Sequence, residues 1–484
     1  MPSLTSTLVM NYSLTKESKV LDVGCAKGFL LHDLSRLIPG IIVAGLDISQ
    51  YAIDNSKEDV KPFLKVGNAI ELPYEDDSYD LVIDMQSLIK SAIISRFIPS
   101  KLTLGFDKSS AREGLASIFY NKITNFFRAT ALVTQLLPSV PVKPLKYFSD
   151  APVWKKVEYT SGDSIVQADL ILPAKINKSG NPAILFSLGV AVNEPTNDPR
   201  LINLSEALAR LGIIVLIPWT ETQKTHYLSS EHEVDALVNG FKFLESLSET
   251  KNHSVGIIGY CTGASMGLIA AADQRIRSEV NYVVSFAGYH DLKNFSKSIL
   301  SSTAYLGSST REWSPDSYAV NLVKRQIVNT SLPKKESEIF SSIDFSKTTL
   351  SDLKSYNLSS RSNSVINLLF ETDYSNVSTG IDNLPKETLQ WLEYNSPSHH
   401  NSNLQAPVFI MHDRADNIVP FEESQRMYNQ ISMYVPTEIT IFDLFQNEIQ
   451  LHEDESVKNS NIDLLSNSIK LFSQLNGIIR VIFK

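Results

Sequence analysis

The stretch that most constrains this chain is Ser254-Val-Gly-Ile-Ile-Gly-Tyr-Cys-Thr-Gly-Ala-Ser-Met-Gly267. It reads as a buried apolar strand that stops abruptly, a turn with glycines two residues either side of Cys261, and a helix that starts at once. Gly259 and Gly263 let the backbone bend tightly with neighbouring elements close by. The Cys261 side chain is then thrust over the end of a sheet, at a helix N-terminus. Free N–H groups and partial positive charge there favour a thiolate over a thiol. The alternative reading is a small buried cysteine in a strand-to-helix turn.

The sequence on either side extends this strand–helix alternation. Val153 to Thr160 and Ile165 to Leu172 suggest an antiparallel pair around Ser161-Gly-Asp163. Pro182 to Val190, Ile213 to Ile217, Tyr282 to Phe286, Ala406 to His412 and Glu438 to Phe442 read as strands. Leu201 to Leu211, Glu231 to Leu247 and Glu422 to Tyr434 read as helices between them. Residues 292–403 break the alternation, yet contain helical pieces such as Asp316 to Val328 and Lys386 to Tyr394. An unstructured loop of that length is improbable in a compact domain, so a helical cap is expected. Residues 151–484 therefore form one α/β domain with a cap at about 292–403.

This order of elements resembles the α/β-hydrolase fold, and Gly259-Tyr-Cys-Thr-Gly263 resembles the turn of the dienelactone-hydrolase branch. That resemblance implies a nucleophile, acid and histidine in chain order. Cys261 would be the nucleophile. The acid falls on Asp416, in Asp413-Arg-Ala-Asp-Asn-Ile-Val-Pro420, with Asp413 as the other choice. Backbone N–H groups of Thr262 and Val190 would form the oxyanion hole. The base falls in the loop after the last strand, where the histidine is His452. The local pattern Leu444-Phe445-Gln446 would instead put Asn447 at its position. His412, at a strand end, reads as structural; His290, Asp291, Trp219 and Glu221 could line a pocket.

The chain opens differently. Lys19-Val-Leu-Asp-Val-Gly-Cys-Ala-Lys-Gly28 is a strand entering a glycine turn, followed by a helix closed by Pro39-Gly40. Ile41 to Ser49, Phe63 to Ala69 and Tyr79 to Asp84 are further strands. Alternation of this kind implies a parallel sheet with ligand chemistry at the strands' carboxyl ends. Asp22-x-Gly24-x-x-x-Gly28, Asp47, Asn68-Ala69 and Glu75-Asp-Asp-Ser-Tyr-Asp-Leu-Val82 resemble the class I S-adenosylmethionine-dependent methyltransferases. The resemblance implies a site for S-adenosylmethionine built from Asp22, Gly24, Gly28, Asp47, Asn68 and Ala69. Ala26 stands where that family has a middle glycine. After Asp84 the alternation is lost, so residues 1–88 read as a partial, Rossmann-like methyltransferase segment. Residues 89–150 read as a linker, with helical spacing from Ser109 to Leu137 ended by Pro138, Pro141 and Pro144.

The net charge of -9 argues against a nucleic-acid or anionic-membrane surface. The two cysteines, Cys25 and Cys261, fall in different segments, so a disulfide framework is not expected and a cytoplasmic setting fits. No apolar run reaches the ~20 residues that span a bilayer, and no Cys/His spacing suggests a metal site. The expected function is hydrolysis of ester or lactone carbonyls on a small-molecule substrate, with no cofactor for that step. Two alternatives stand beside it: an S-adenosylmethionine-binding methyltransferase-type protein, bifunctional or truncated, and a catalytically impaired module on a hydrolase scaffold. Substrate identity and oligomeric state are not written in the sequence.

Overall fold

The structure is a computed structural model. It describes residues 5, 9, 14–67, 79–84, 95, 98, 100–105, 123–136, 143, 145–146, 149–178, 180–190, 198–225, 227–230, 232–251, 253–353, 356–443 and 461–483. The chain divides into two compact units, Met1–Phe127 and Arg128–Lys484.

The first unit is built on a five-stranded sheet, β1 (Lys19–Val23), β2 (Ile42–Asp47), β3 (Leu64–Val66), β4 (Tyr79–Asp84) and β5 (Ser100–Gly105). The order is β3-β2-β1-β4-β5, and every pairing is parallel. Helix α1 (Phe29–Leu37) buries Leu31 and Leu34 against Val20, Val43 and Leu81, and the short α2 (Gln50–Asp54) follows β2. Strand β5 lies beyond the expected boundary at residue 88. Its alternation, Leu102 and Leu104 around Thr103, is too short to register as a pattern.

The second unit is built on an eight-stranded sheet. Its strands are β6 (Val153–Ser161), β7 (Ser164–Leu172), β8 (Ala183–Ser187), β9 (Ile214–Trp219), β10 (Val255–Tyr260), β11 (Val283–Phe286), β14 (Val408–Asp413) and β15 (Thr437–Phe442). They lie in the order β15-β14-β11-β10-β8-β9-β7-β6. The β6–β7 and β7–β9 pairings are antiparallel and the others parallel. This is the α/β-hydrolase order. The central strand β8 is buried along its whole length, as a strand covered on both faces must be.

One face of that sheet is covered by α5 (Glu233–Ser246), α6 (Thr262–Ala271) and α12 (Glu422–Ile431), through Leu237, Phe241, Leu268, Ile269 and Met427. The other face holds α4 (Pro199–Arg210), the second half of α3 (Ile123–Leu136) and α13 (Asn461–Ile482). There Leu132, Leu208, Leu475 and Ile479 meet Ile184 and Val215. The stretch expected to be a linker thus joins the second unit's core from Arg128 onward. Residues 109–122 of the expected linker helix lie outside the described residues.

The cap between β11 and β14 is ordered helix and hairpin. It comprises α7 (Leu292–Ser301), the hairpin β12 (Thr303–Leu306) and β13 (Ser309–Glu312), α8 (Ser317–Ser331), α9 (Ser360–Leu368), α10 (Tyr374–Asp382) and α11 (Lys386–Tyr394). Its buried Leu322, Val323, Ile366 and Leu392 are continuous with the sheet's core.

The elbow is packed backbone against backbone. A Cβ on Gly263 would lie 2.3 Å from the Gly189 nitrogen and 2.4 Å from the Ser187 oxygen; one on Gly259 would lie 2.3 Å from the Ala264 Cα. Those neighbours cannot move without disturbing two strands. Gly263→Ala is therefore expected to destabilise the second unit by about 1–3 kcal/mol or more. Thermal melting would read this as a clearly lowered midpoint; a midpoint equal to the unaltered chain would show that the backbones can separate.

Candidate active site

Cys261 joins β10 to α6 with φ 55 and ψ -133. An L-residue rarely adopts this conformation, and holding one there costs about 1–3 kcal/mol. The turn is fixed from both sides: the Cys261 N–H donates to the Phe286 carbonyl (2.9 Å) and the Ala264 N–H to the Cys261 carbonyl (3.0 Å). The side chain is half-buried and packs against the core shared with Val190 and Tyr318.

The expected thiolate does not result. Burial first, and the Asp416 carboxylate second, push the Cys261 thiol up to about 12; a hydrogen bond from the Thr262 N–H pulls the other way. The N-terminus of α6 is thus outweighed by desolvation, because a charge taken from water loses more than one N–H returns. A thiol of this kind needs a base before it can attack.

Asp416 sits at the loop after β14, almost fully buried. The N–H groups of Ile418 (2.7 Å) and Val419 (3.0 Å) both donate to its Oδ1. Burial nevertheless raises its carboxyl to about 7. Its Oδ2 lies 3.6 Å from His412 Nε2. The His412 ring is pinned, with Nδ1 2.7 Å from Ser424 Oγ and Nε2 2.9 Å from the Val419 carbonyl oxygen, and burial lowers it to about 4. It is a neutral brace for the acid loop. Asp413 is the last residue of β14, and its Oδ1 accepts the Ala415 N–H.

The described residues bring Cys261, Thr262, Val190 and Asp416 to the carboxyl end of one sheet. The Val190 N–H expected in the oxyanion hole donates to Thr262 Oγ1 (3.1 Å), and the Thr262 N–H faces the Cys261 sulfur. Both expected donors are therefore engaged in the resting protein. His452 and Asn447 lie outside the described residues. His290 is buried with Nε2 2.9 Å from the Asn401 amide nitrogen, and Asp291 caps α7 through the Asn294 N–H, so both serve the cap. Sequence reading missed Tyr318, which carries no motif and reaches the site only through the packing of the cap. A cavity of about 340 Å³ lies elsewhere, lined by Asp291, Lys293, Lys297, Asp382, Ser396 and His399; both lysines pair with Asp382, and the Ser396 hydroxyl accepts the Leu292 N–H and donates to the Leu392 carbonyl.

In the first unit, Gly24, Ala26 and Gly28 all take positive φ, at 82, 47 and 69. Ala26 thus occupies a conformation in which glycine is favoured, at the expense of some strain. Asp47 closes the turn: Oδ2 accepts the Ala26 N–H (2.9 Å) and Oδ1 the Ser49 N–H (2.8 Å). Asp22 is buried beneath, raised to about 7 by burial, Asp84 and Asp47 in that order. Its Oδ1 has no hydrogen-bond partner among the described residues. Asn68 and Ala69 lie outside the described residues.

Two family models match this chain, each within one unit. The methyltransferase domain model matches residues 14–127 and the dienelactone hydrolase family model residues 220–326. The chain resembles both families. Among curated proteins, a malonyl-[acyl-carrier protein] O-methyltransferase of Bacillus anthracis is 30% identical over 83 residues, covering 17% of this chain and 31% of that protein. A lipopolysaccharide heptosyltransferase 1 of Campylobacter coli is 45% identical over 56 residues, 12% of this chain and 16% of that protein. The chain thus spans under a third of the length of either relative. Among solved structures, the acylaminoacyl peptidase of Pyrococcus horikoshii is similar at 12% identity and a TM-score of 0.39, covering 70% of this chain and 42% of that one.

The carboxyl of Asp416 provides a test of the site's electrostatics. The native state keeps this proton up to about pH 7, whereas an unfolded aspartate releases it near 3.8. The native state binds more protons in that window, so this group's contribution to stability falls as pH rises through it. Asp416→Asn keeps an acceptor oxygen and cannot ionise. It is expected to melt higher than the unaltered chain at pH 8 and close to it at pH 4. A melting difference that does not widen with pH would contradict the raised value.

Proposed function

We propose that the second unit is a hydrolase of ester or lactone carbonyls with Cys261 as nucleophile. The observation that carries this reading is the strained Cys261 turn, set at the end of β10 with the Asp416 charge felt at its sulfur. The match to the dienelactone hydrolase family model supports it. The sulfur would add to the substrate carbonyl, and an imidazole oriented by Asp416 would take the thiol proton and return it to the leaving oxygen. His452 is the residue proposed for that base. A thiol held near 12 makes the base necessary, and His290 and His412, the buried histidines among the described residues, are engaged elsewhere. The Thr262 and Val190 N–H groups would turn to the oxyanion once substrate displaces their resting contacts. The substrate is a small molecule, and the acidic balance of the chain favours no nucleic-acid partner. Two unpaired cysteines, one in each unit, support a cytoplasmic setting. No helix among the described residues is long and apolar enough to cross a membrane.

The deciding measurement is turnover of p-nitrophenyl acetate, p-nitrophenyl butyrate and dihydrocoumarin by the unaltered chain and by Cys261→Ala. Loss of at least about 10³-fold is expected in the variant; equal rates would end the reading.

A second function is favoured by the turn of the first unit. The methyltransferase model match and the positive-φ turn at Gly24, Ala26 and Gly28 support binding of S-adenosylmethionine. The residues fit such a ligand: Asp22 Oδ1 is unmatched beneath the turn, and each Asp47 oxygen has accepting capacity beyond its one N–H. When bound, the cofactor supplies an electrophilic methyl group. The chain's own part would be to cradle it on Gly24 and Gly28, with Asp47 accepting from hydroxyl groups. Calorimetric titration with S-adenosylmethionine is expected to give saturable binding that Asp47→Ala weakens at least tenfold. No heat at millimolar ligand would remove this function and leave the hydrolase reading intact.

A further inference from the structure

We propose that the Tyr318 hydroxyl, presented by the cap, donates a hydrogen bond to the carbonyl oxygen of a substrate bound at Cys261. This rests on the hydrolase reading and adds to it a donor from outside the sheet.

The argument begins with the fixing of Tyr318. Asp316 caps α8, and the Tyr318 N–H donates to Asp316 Oδ1 (2.7 Å). The Asp316 N–H donates in turn to the Asn417 carbonyl (2.7 Å), and Trp313 Nε1 donates to the Asp416 carbonyl (3.0 Å). Arg311 grips Glu422 with two nitrogens, at 2.9 and 3.1 Å. The start of α8 is thereby bolted to the loop that carries the acid. The Tyr318 ring packs onto the same core as Cys261 and Val190.

The hydroxyl itself is the anomaly. Its oxygen is shut off from solvent and has no hydrogen-bond partner among the described residues. Leaving a buried hydroxyl unsatisfied costs stability, so its presence calls for an occupant. Burial first, and the nearby Cys261 sulfur second, hold it protonated up to about 12, which keeps it a donor across the working range of pH. The Val190 and Thr262 N–H groups are engaged at rest, so Tyr318 is a donor in place before substrate arrives. An oxyanion stabilised in this way needs no rearrangement of the elbow.

In the step concerned, the Cys261 S–C bond forms as the carbonyl π pair moves onto oxygen. The thiol proton passes to the base, and the oxyanion accepts from Tyr318. Collapse then expels the leaving oxygen, which takes that proton.

Tyr318→Phe removes the hydroxyl and leaves the ring. Two readouts are compared with the unaltered chain and Cys261→Ala. The first is kcat and KM on p-nitrophenyl acetate. The second is the ¹⁹F-detected affinity for 2,2,2-trifluoroacetophenone, whose carbonyl takes up the thiol to form a stable tetrahedral adduct without turnover. In Tyr318→Phe, kcat is expected to fall at least tenfold with KM within about twofold, and adduct affinity to fall at least tenfold. The melting point should be unchanged or raised, because no bond is lost in the free protein. Unchanged kcat and adduct affinity, with Cys261→Ala inactive, would overturn the role of Tyr318 alone. Full activity in Cys261→Ala, or neither turnover nor adduct in the unaltered chain, would overturn the hydrolase reading and this proposal together.

Discussion

The close approach of three backbones at Gly189, Gly259 and Gly263 is the constraint on which the second unit depends. Strand β10, the N-terminus of α6 and the turn after β8 meet there with no side chain between them. Their contact allows a non-glycine residue to be held at φ 55, because the surrounding strands over-determine the turn. From that turn the sulfur has one direction to go: over the end of the sheet, where the acid loop and the cap converge.

The electrostatics of the same place run against a simple reading of a helix N-terminus. A dipole and a free N–H offer a fraction of a charge, and the Thr262 N–H does lower the thiol. Desolvation and the Asp416 carboxylate act on the full charge and win. Burial thus holds Cys261 and Tyr318 in their protonated forms well above neutral pH, and Asp416 in its protonated form up to about pH 7. Such a site holds protons ready to transfer, and its chemistry begins with the arrival of a base or a substrate.

Much of this was legible from local patterns. Strands such as Ala183–Ser187 and Ile214–Trp219 announce themselves as apolar runs between breakers, and Gly259 to Gly263 marks the turn by its spacing. Asp416 is marked as the candidate acid because Val419-Pro420 follows a strand at a recognisable distance. What escaped depends on tertiary packing. Strand β5 is six residues at the edge of its sheet. Helix α13 carries its apolar residues at helical spacing, yet follows a stretch with no clear signal; its place becomes plain when Leu475 and Ile479 meet the sheet. The resting bond from Val190 to Thr262 Oγ1 is likewise invisible in sequence, as it joins residues 72 apart. Tyr318 has neighbours in the chain that look like any amphipathic helix.

The acid loop ties these parts together. The Asp416 carboxylate raises the Cys261 thiol, the N–H groups at 418 and 419 fold back on that carboxylate, and the carbonyls at 416 and 417 hold the cap through Trp313 and Asp316. His412 braces it from beneath. One short loop therefore sets both the charge at Cys261 and the height of α8 above it. A change that shifts the loop would move Asp416 and the start of α8 together. On the proposed reading the cap would be part of the catalytic geometry as well as a cover, because the loop that holds the start of α8 also carries the residue proposed to orient the base.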